Sequence, residues 1–353
     1  MPRKSTKKPK LSLEPIETVA QLDDKLSEPT PGLIRAVTEL KGDILILGVG
    51  GKVGPTLARQ AVRAVEAAGV KKHVIGVDLF PSGQARKALE KVGVRTIKAD
   101  LMRPGAFADL PDAENVMYMI GRKFGSTGAE WHTWMANVFL AGQAAERYRR
   151  ARVVAFSSGN IYPFMPLSAH AATEATAPAP VGEYAMSCLG RERMFDYYAN
   201  EMGTKVLHFR LNYAVELRYG IILDVATSVW NGTPVDVTMG HVNVVWQGYA
   251  TAVALQCFAL ASSPPRALNV TGPETVSIRW MANRFGELFG KKPMIAGEEA
   301  PTALLSNAAP CHARFGYPNV SVDAILEWVA YWVAGGGATL GKPTHYDTRD
   351  GKF

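Results

Sequence analysis

The stretch ILILGVGGKVGPTLAR, residues 44–59, decides the fold. Its four leading apolar residues predict a buried strand, and the spacing of the apolar residues after the glycines predicts an amphipathic helix. Glycines in such a turn let the backbone turn tightly, approach a pyrophosphate and pack the helix close to the strand. The amides at the start of the helix then face the anion. The residues predicted to contact a dinucleotide here are Gly48, Gly51, Lys52, Val53 and Gly54.

An acidic residue ends the next predicted strand. Asp78 closes HVIGVD, where a carboxylate can accept hydrogen bonds from the adenosine ribose hydroxyls and would repel a 2′-phosphate. We therefore expect the cofactor to be NAD rather than NADP. Asp100 and Leu101 close VRTIKADL, and we expect them beside the adenine. A local cap at the end of the strand is the alternative interpretation of Asp100.

The rest of the chain alternates strands and helices, which is typical of an α/β protein with a doubly wound parallel Rossmann sheet. Further strands are predicted at 115–120, 152–158 and 205–211, with amphipathic helices between them. Beyond Asn212 the alternation loosens, and this predicts a smaller C-terminal substrate lobe interleaved with the last strands. Its expected elements are helices near 220–232, 276–290 and 321–334 and short strands around 234–246.

These patterns divide the chain into five parts. The predicted parts are a disordered basic tail (1–14), a helical preamble (15–41) broken by Pro29 and Pro31, an NAD-binding Rossmann domain (42–211), the substrate lobe (212–335) and an extended C-terminal tail (336–353). The last part is rich in glycine and polar residues, so we expect it to run over the surface or over a partner subunit.

Composition excludes several classes of protein. The chain has 353 residues, of which 47% are hydrophobic, and a net charge of +7. Five positive charges lie within the first ten residues, so the remainder is nearly neutral and we expect no nucleic-acid partner. Three scattered cysteines without a CxxC pair or clustered histidines predict no metal site and a reducing, cytoplasmic location. No apolar run is long enough to predict a membrane span.

Further motifs complete a family pattern. Asn137 in ANV, Ser158 in SSGNIY and Tyr184 in YAMSC, taken with the glycine turn and Asp78, resemble the extended short-chain dehydrogenase/reductase family, the NAD-dependent epimerase/dehydratases. The resemblance runs from about residue 43 to 335. It implies that Tyr184 is the catalytic acid or base, that Ser158 hydrogen-bonds the same substrate oxygen, and that Asn137 belongs to the active-site network. It also implies a homodimer that pairs through the helices carrying Asn137 and Tyr184.

One position departs from this pattern in a way that bears on the chemistry. The family carries a lysine one helical turn after the tyrosine, which lowers the pKa of the tyrosine and binds the nicotinamide ribose. Cys188 stands at that position here, and a thiol supplies no permanent charge. Lys123, in GRKFGS, is a candidate for binding the cofactor phosphates or ribose, with a surface loop lysine as the alternative. Gln247 replaces an aspartate of the family, and Asn212 lies where the family usually has a glycine nearby.

Loops that follow the strands would carry the substrate. The polar candidates are Tyr162, Asn212, Arg218 and His241. Arg218 suits a carboxylate or phosphate and His241 suits proton transfer, although each is also a common structural residue. We therefore predict an NAD-dependent oxidoreductase or epimerase/dehydratase that acts on a hydroxyl or carbonyl of a small polyhydroxylated or carbohydrate-like molecule. The alternatives are an NAD(H)-binding sensor without turnover, which the missing lysine favours, and a lyase that uses the same pocket.

Overall fold

The computed structural model describes residues 9, 12–342 and 344–352, so most of the predicted basic tail lies outside the described residues. The strands are β1 Ile44–Leu47, β2 Val74–Asp78, β3 Arg95–Lys98, β4 Asn115–Tyr118, β5 Arg152–Ser158, β6 Met165–Pro166, β7 Lys205–Leu211, β8 Ala214–Val215, β9 Val235–Asp236, β10 His241–Val242, β11 Val245–Trp246, β12 Arg266–Val270, β13 Val276–Ser277, β14 Ile295–Ala296 and β15 Thr302–Ala303. The α-helices are α1 Val19–Leu26, α2 Pro31–Glu39, α3 Gly54–Ala68, α4 Gly83–Lys91, α5 Glu130–Trp134, α6 Leu140–Arg147, α7 Gly182–Met202, α8 Ile221–Asn231, α9 Gln247–Gln256, α10 Ile278–Phe289, α11 Ala309–Phe315 and α12 Val322–Ala334.

Seven parallel strands form the central sheet, in the order β12-β7-β5-β4-β1-β2-β3. The predicted doubly wound Rossmann sheet is thus confirmed, and β5 and β7 have the bounds expected from their apolar runs. The strand order reverses between β1 and β4. A crevice forms at such a switch point, outside the carboxyl ends of the strands, because the neighbouring connections leave in opposite directions.

Helices cover both faces of the sheet. On one face, α2, α3 and α9 pack around Leu33, Leu57 and Val253. On the other face, α6 and α7 contribute Leu140 and Phe195 to a second apolar cluster. Because both faces are buried, the central strands read as continuous apolar runs rather than as alternating ones.

The smaller lobe has a core of its own, in which α8, α10 and α12 pack around Trp246, Phe285 and Trp328. The predicted helices of this lobe are present, and its short strands pair outside the central sheet, β15 with β6 and the others with one another. The helical preamble consists of two helices. Pro31 is the first residue of α2, where its missing N–H is tolerated, so it begins a helix besides interrupting the preamble.

The end of the chain folds back on the protein. Residues 344–352, called the strap from here on, cross the face of the smaller lobe. Thr344 donates through its N–H and hydroxyl to Asp224 at 2.8 and 2.5 Å, and the Tyr346 hydroxyl donates to the Asp236 carbonyl at 2.9 Å. The strap contains no helix or strand, and several of its residues are half-buried against the same chain. Within the described residues, no helix is long and apolar enough to cross a membrane.

Candidate active site

The glycine turn between β1 and α3 is built for close approach. Gly48 has a φ of +85°, which L side chains rarely adopt. A Cβ on Gly54 would lie 2.2 Å from the Val49 carbonyl oxygen, so only glycine lets α3 pack against the end of the strand. The Gly50 N–H donates to Asp78 Oδ2 at 2.9 Å, which ties the turn to the end of β2. The turn therefore offers an uncovered backbone surface with an acidic residue beside it.

A cavity of about 730 Å³ opens next to this turn. Its walls include ten of the residues expected from sequence: Gly48, Gly51, Lys52, Val53, Gly54, Lys123, Ser158, Tyr184, Asn212 and Arg218. The volume is within the usual range for small-molecule and cofactor sites. The carboxyl ends of β1, β4 and β5, together with the start of α7, thus bring the predicted turn, Ser158 and Tyr184 to one pocket.

Tyr184 lies in the first turn of α7, with Ser158 and Cys188 beside it. Its hydroxyl hydrogen-bonds both the Ser158 hydroxyl and the Cys188 thiol. Burial and the neighbouring thiol raise the pKa of Tyr184 far above its usual range, while Arg191 and Ser158 oppose the shift. Burial likewise raises the pKa of Cys188. Without a ligand, Tyr184 is therefore a protonated phenol at neutral pH.

Asn137 holds the wall of the site rather than lining it. It lies in a single π-helical turn, Met135–Phe139, a feature common at functional sites. Its side chain accepts the Arg122 N–H at 2.7 Å and donates to the Ser187 hydroxyl at 2.8 Å. Because Ser187 in turn bonds the Tyr184 carbonyl at 2.8 Å, Asn137 joins the loop after β4 to the start of α7.

Two lysines face the cavity in an unusually apolar setting. The Lys52 ammonium lies between two aromatic rings, 4.0 Å from the centroid of Phe124 and 3.8 Å from that of Tyr219. Burial, followed by the charges of Lys123 and Lys342, lowers the pKa of Lys52 to about 7. Burial also lowers the pKa of Lys123 to about 8, and its ammonium lies 5.7 Å from the Tyr184 ring centroid. An anionic ligand would find two poorly solvated cations here.

The predicted substrate residues divide between the cavity and the protein interior. Asn212 and Arg218 line the cavity, and Arg218 forms ion pairs with Glu216 and Asp23, each at 3.1 Å. Tyr162 is buried, donates to Asn269 at 2.8 Å and accepts from Arg210 at 2.7 Å, so its hydroxyl belongs to an internal network. His241 lies in β10 and is not part of the described wall of the cavity.

Two residues predicted beside the adenine also lie off the described wall. Asp100 Oδ1 accepts the Met102 N–H at 3.0 Å, which is the capping alternative of the sequence analysis. Leu101 is buried in the apolar cluster beneath α6. Among the described residues, no group of three or more histidine, cysteine or acidic side chains is placed to hold a metal ion.

Sequence reasoning missed several parts of this site. Phe124 and Tyr219 enclose Lys52, and the strap contributes Thr344 to the cavity wall. Arg191 also lines the cavity. A signal for Arg191 exists, because the spacing of Tyr184, Cys188 and Arg191 places all three on one helical face. Nothing in the composition of the C-terminal segment marks it as a wall of the site.

Comparison with known proteins agrees with this geometry. Residues 44–215 match the NAD dependent epimerase/dehydratase family. Among curated proteins, none matches the sequence.

Solved structures with a similar fold include three epimerases. The UDP-glucose 4-epimerase of Thermus thermophilus, solved with NAD, has a TM-score of 0.68 at 18% identity and covers 84% of this chain and 100% of its own. The UDP-glucuronic acid 4-epimerase of Bacillus cereus, also with NAD, has a TM-score of 0.69 at 16% identity and covers 82% and 98%. The UDP-glucose 4-epimerase of Thermotoga maritima, with UDP-glucose, has a TM-score of 0.67 at 15% identity, with coverage of 82% and 98%.

Proposed function

Because residues 44–215 match the NAD dependent epimerase/dehydratase family, we propose that this chain is an enzyme that binds NAD at the glycine turn and acts on a hydroxyl or carbonyl of a small polyhydroxylated substrate. The observation that carries the proposal is the single cavity wall shared by the turn, Ser158 and Tyr184. The epimerases of similar fold are named for UDP-sugars, which agrees with a carbohydrate-like substrate.

The residues of the turn fit NAD. The open backbone at Gly48, Gly51 and Gly54 leaves room for a pyrophosphate, which Val53 and Lys52 would flank. Asp78, which accepts the Gly50 N–H of the turn, would accept the ribose hydroxyls and repel a 2′-phosphate. Arg86, the nearby cation that could otherwise receive such a phosphate, is paired with Glu90 at 2.9 Å. This pairing supports NAD over NADP, with Asp100 and Leu101 retained as the proposed adenine side.

Residues of the chain itself would transfer the proton of the substrate hydroxyl. When bound, NAD supplies a hydride acceptor and, as NADH, a hydride donor. Tyr184 takes the proton from a substrate hydroxyl or returns it to a carbonyl, and Ser158 donates a hydrogen bond to the same oxygen. Asn137 keeps α7 and the loop after β4 in place, and Lys123, which lines the same cavity, binds the cofactor. Asn212 and Arg218 contact the substrate, while Tyr162 and His241 shape the lobe around it.

Two other functions would use the same pocket. The raised pKa of Tyr184 beside Cys188 favours an NAD(H)-binding sensor without turnover, because a phenol that stays protonated is a poor base. A lyase would use the same tyrosine for an elimination. Retention of Ser158 within hydrogen-bonding reach of Tyr184 favours the enzyme over the sensor, since binding alone needs no such pair.

The test begins with the purified protein. Mass spectrometry of its bound small molecules and calorimetry with NAD should show tight NAD binding. Turnover is then measured on a panel of nucleotide sugars and free polyols by cofactor absorbance and by product chromatography. Tyr184→Phe should reduce turnover by roughly 10²–10⁴-fold while NAD still binds, as expected on losing a general acid or base. Unchanged turnover in Tyr184→Phe would contradict the catalytic assignment, and NAD binding without any turnover on the panel would favour the sensor.

We also propose a homodimer in a reducing, cytoplasmic environment. Large apolar side chains are exposed along α5, the π-turn and α7, namely Trp131, Trp134, Met135, Phe139, Met186, Tyr197 and Met202. An exposed apolar surface of this kind usually marks an interface. The location rests on Cys188, Cys257 and Cys311, which are all buried thiols without a disulfide.

A further inference from the structure

The missing lysine leaves the proposed reaction without an evident source of positive charge for Tyr184, and this inference rests on that proposed function. Arg191 lies two helical turns after Tyr184 on α7 and lines the same cavity. Its side chain is almost completely buried. Arginines are rarely buried without a partner that offsets the cost of desolvating the charge, so this position needs a physical account.

The protein holds the guanidinium by backbone oxygens. Nη1 donates to the Phe156 carbonyl at 2.8 Å, and Nε donates to the Asn137 carbonyl at 3.4 Å. A Cβ on Gly121 would lie 2.7 Å from Nη2, so the glycine leaves the space that the guanidinium fills. Phe156, Asn137 and Gly121 come from three different elements. The guanidinium is therefore held at a defined position inside the protein by groups from separate parts of the chain.

No carboxylate among the described residues forms an ion pair with Arg191. The neighbouring arginine shows the contrast, because Arg210 is paired with Glu192 at 2.8 Å. Backbone carbonyls satisfy hydrogen bonds without cancelling a net charge. The positive charge of Arg191 is therefore available to act on the groups beside it in a poorly solvated site.

We propose that Arg191 replaces the lysine absent at position 188, and that its permanent charge stabilises the ionised form of Tyr184 during proton transfer. Arg191 is a positioning residue in this role, since it acts through Tyr184. The proton moves between the substrate oxygen and the tyrosine oxygen, and the arginine neither gains nor loses one. Position 188 can therefore hold a small, neutral cysteine, because Arg191, one helical turn later, supplies the positive charge.

The other groups that face Tyr184 fit this role less well. Lys123 approaches from the loop after β4 and is charged at pH 7, but burial lowers its pKa to about 8, so its charge is lost over the alkaline range in which a phenol titrates. Glu192, on α7, is neutralised by Arg210, and the Cys188 thiol stays protonated because burial raises its pKa. A guanidinium remains charged at any pH that the fold survives. Arg191 lowers the pKa of both Tyr184 and Cys188, against the larger effect of burial.

The test follows one phenol by ¹⁹F NMR. Tetrafluorotyrosine, whose phenol is far more acidic than that of tyrosine, is incorporated at position 184 so that the phenol titrates within the pH range of the folded protein despite its burial, and its titration midpoint is measured without cofactor. Arg191→Met should raise the midpoint by about one pH unit or more, and Arg191→Lys should return it most of the way. Arg193→Met, an exposed arginine of the same helix, is the matched control and should leave the midpoint unchanged. Equal midpoints in Arg191→Met and the parent protein would overturn the proposal.

Two further variants keep the test decisive if Arg191→Met folds poorly. Gly121→Ala crowds Nη2 and should displace the guanidinium without removing its charge, so a smaller rise in the midpoint is expected. Cys188→Lys combined with Arg191→Met should restore the parent midpoint, because it returns the charge to the family's position. An unshifted midpoint in Gly121→Ala, or no restoration in the double variant, would count against Arg191. Calorimetry with NAD is run in parallel, so that loss of cofactor binding, which concerns the proposed function, is seen separately.

Discussion

At the scale of single residues, Lys52 illustrates how an apolar setting prepares a cation for an anion. Its ammonium is held between the rings of Phe124 and Tyr219 and repelled by two other lysines. The charged form is therefore costly in the free protein, and this cost lowers the pKa to about 7. A bound pyrophosphate would raise the pKa of Lys52 again, because its negative charge stabilises the ammonium.

The low pKa of Lys52 predicts a pH dependence of NAD binding. Because the pKa is about 7 in the free protein and a bound pyrophosphate would raise it, we expect NAD binding above pH 7 to take up a proton. We expect NAD affinity to weaken as pH rises above 7, by up to tenfold per unit, and binding at pH 8 to take up about half a proton or more. Calorimetry in buffers of different ionisation enthalpy measures this uptake. Lys52→Met should reduce it, and Lys41→Met, an exposed lysine outside the cavity, should not.

Asp78 should decide which dinucleotide is bound. Replacing it by alanine removes the acceptor of the Gly50 N–H and the charge that would repel a 2′-phosphate. In Asp78→Ala we expect weaker NAD binding and a ratio of NADP to NAD affinity that rises about tenfold, or about 1.4 kcal/mol. Calorimetry with both cofactors gives the ratio. Asp109→Ala, an exposed aspartate paired with Arg103, serves as the control, and an unchanged ratio in Asp78→Ala would refute this role.

At the scale of elements, the junction of β1 with α3 depends on one missing side chain. A Cβ on Gly54 would overlap the Val49 carbonyl, and the helix would have to move away from the sheet. We expect Gly54→Ala to lower the free energy of unfolding by about 1–3 kcal/mol and to abolish NAD binding. Urea unfolding and calorimetry measure the two effects.

Gly83→Ala is the matched control for that prediction. Gly83 begins α4, has no atoms within 4 Å of a built Cβ, and needs no positive φ. Alanine there should stabilise the protein slightly, by about 0.4–1 kcal/mol, because it restricts the unfolded chain. Equal stability of the two alanine variants would mean that the close packing of α3 is unimportant.

Elements were predictable from sequence where a local pattern carried the information. The strands β5 and β7 are apolar runs bounded by polar residues, and the glycine turn lies between a strand and a helix, so short-range spacing was enough. Arg191 shares a helical face with Tyr184, but its burial depends on the space left by Gly121, and that contact joins distant parts of the chain. The strap has no periodicity, and only its tertiary contacts reveal where it lies.

At the scale of the whole molecule, contacts made by both ends of the chain hold the two lobes together, in addition to the segments that link them. Leu22 and Leu26 of α1 enter the core of the smaller lobe, while α2 packs against α3 and α9 of the larger one. The strap adds contacts from the far end of the chain. The cavity between the glycine turn and the strap is thus enclosed by segments from both ends of the sequence.

The exposed apolar side chains of α5, the π-turn and α7 should be buried between two copies of the chain. Sedimentation velocity is expected to show a dimer at micromolar concentration. Phe139→Glu combined with Met186→Glu should produce monomers, because two charges would be placed in an apolar contact. Trp280→Glu alters an equally exposed aromatic residue on α10 and should leave the dimer intact. A monomeric parent protein would disprove the assembly.

The strap also has a consequence for how the site could come apart. Its Gly351 lies directly against Gly182, the first residue of α7, and a Cβ on either glycine would clash with the other's backbone. Thr344 of the same segment lines the cavity. Detachment of the strap would therefore open one wall of the pocket and, in the same event, remove a contact at the start of the helix that carries Tyr184.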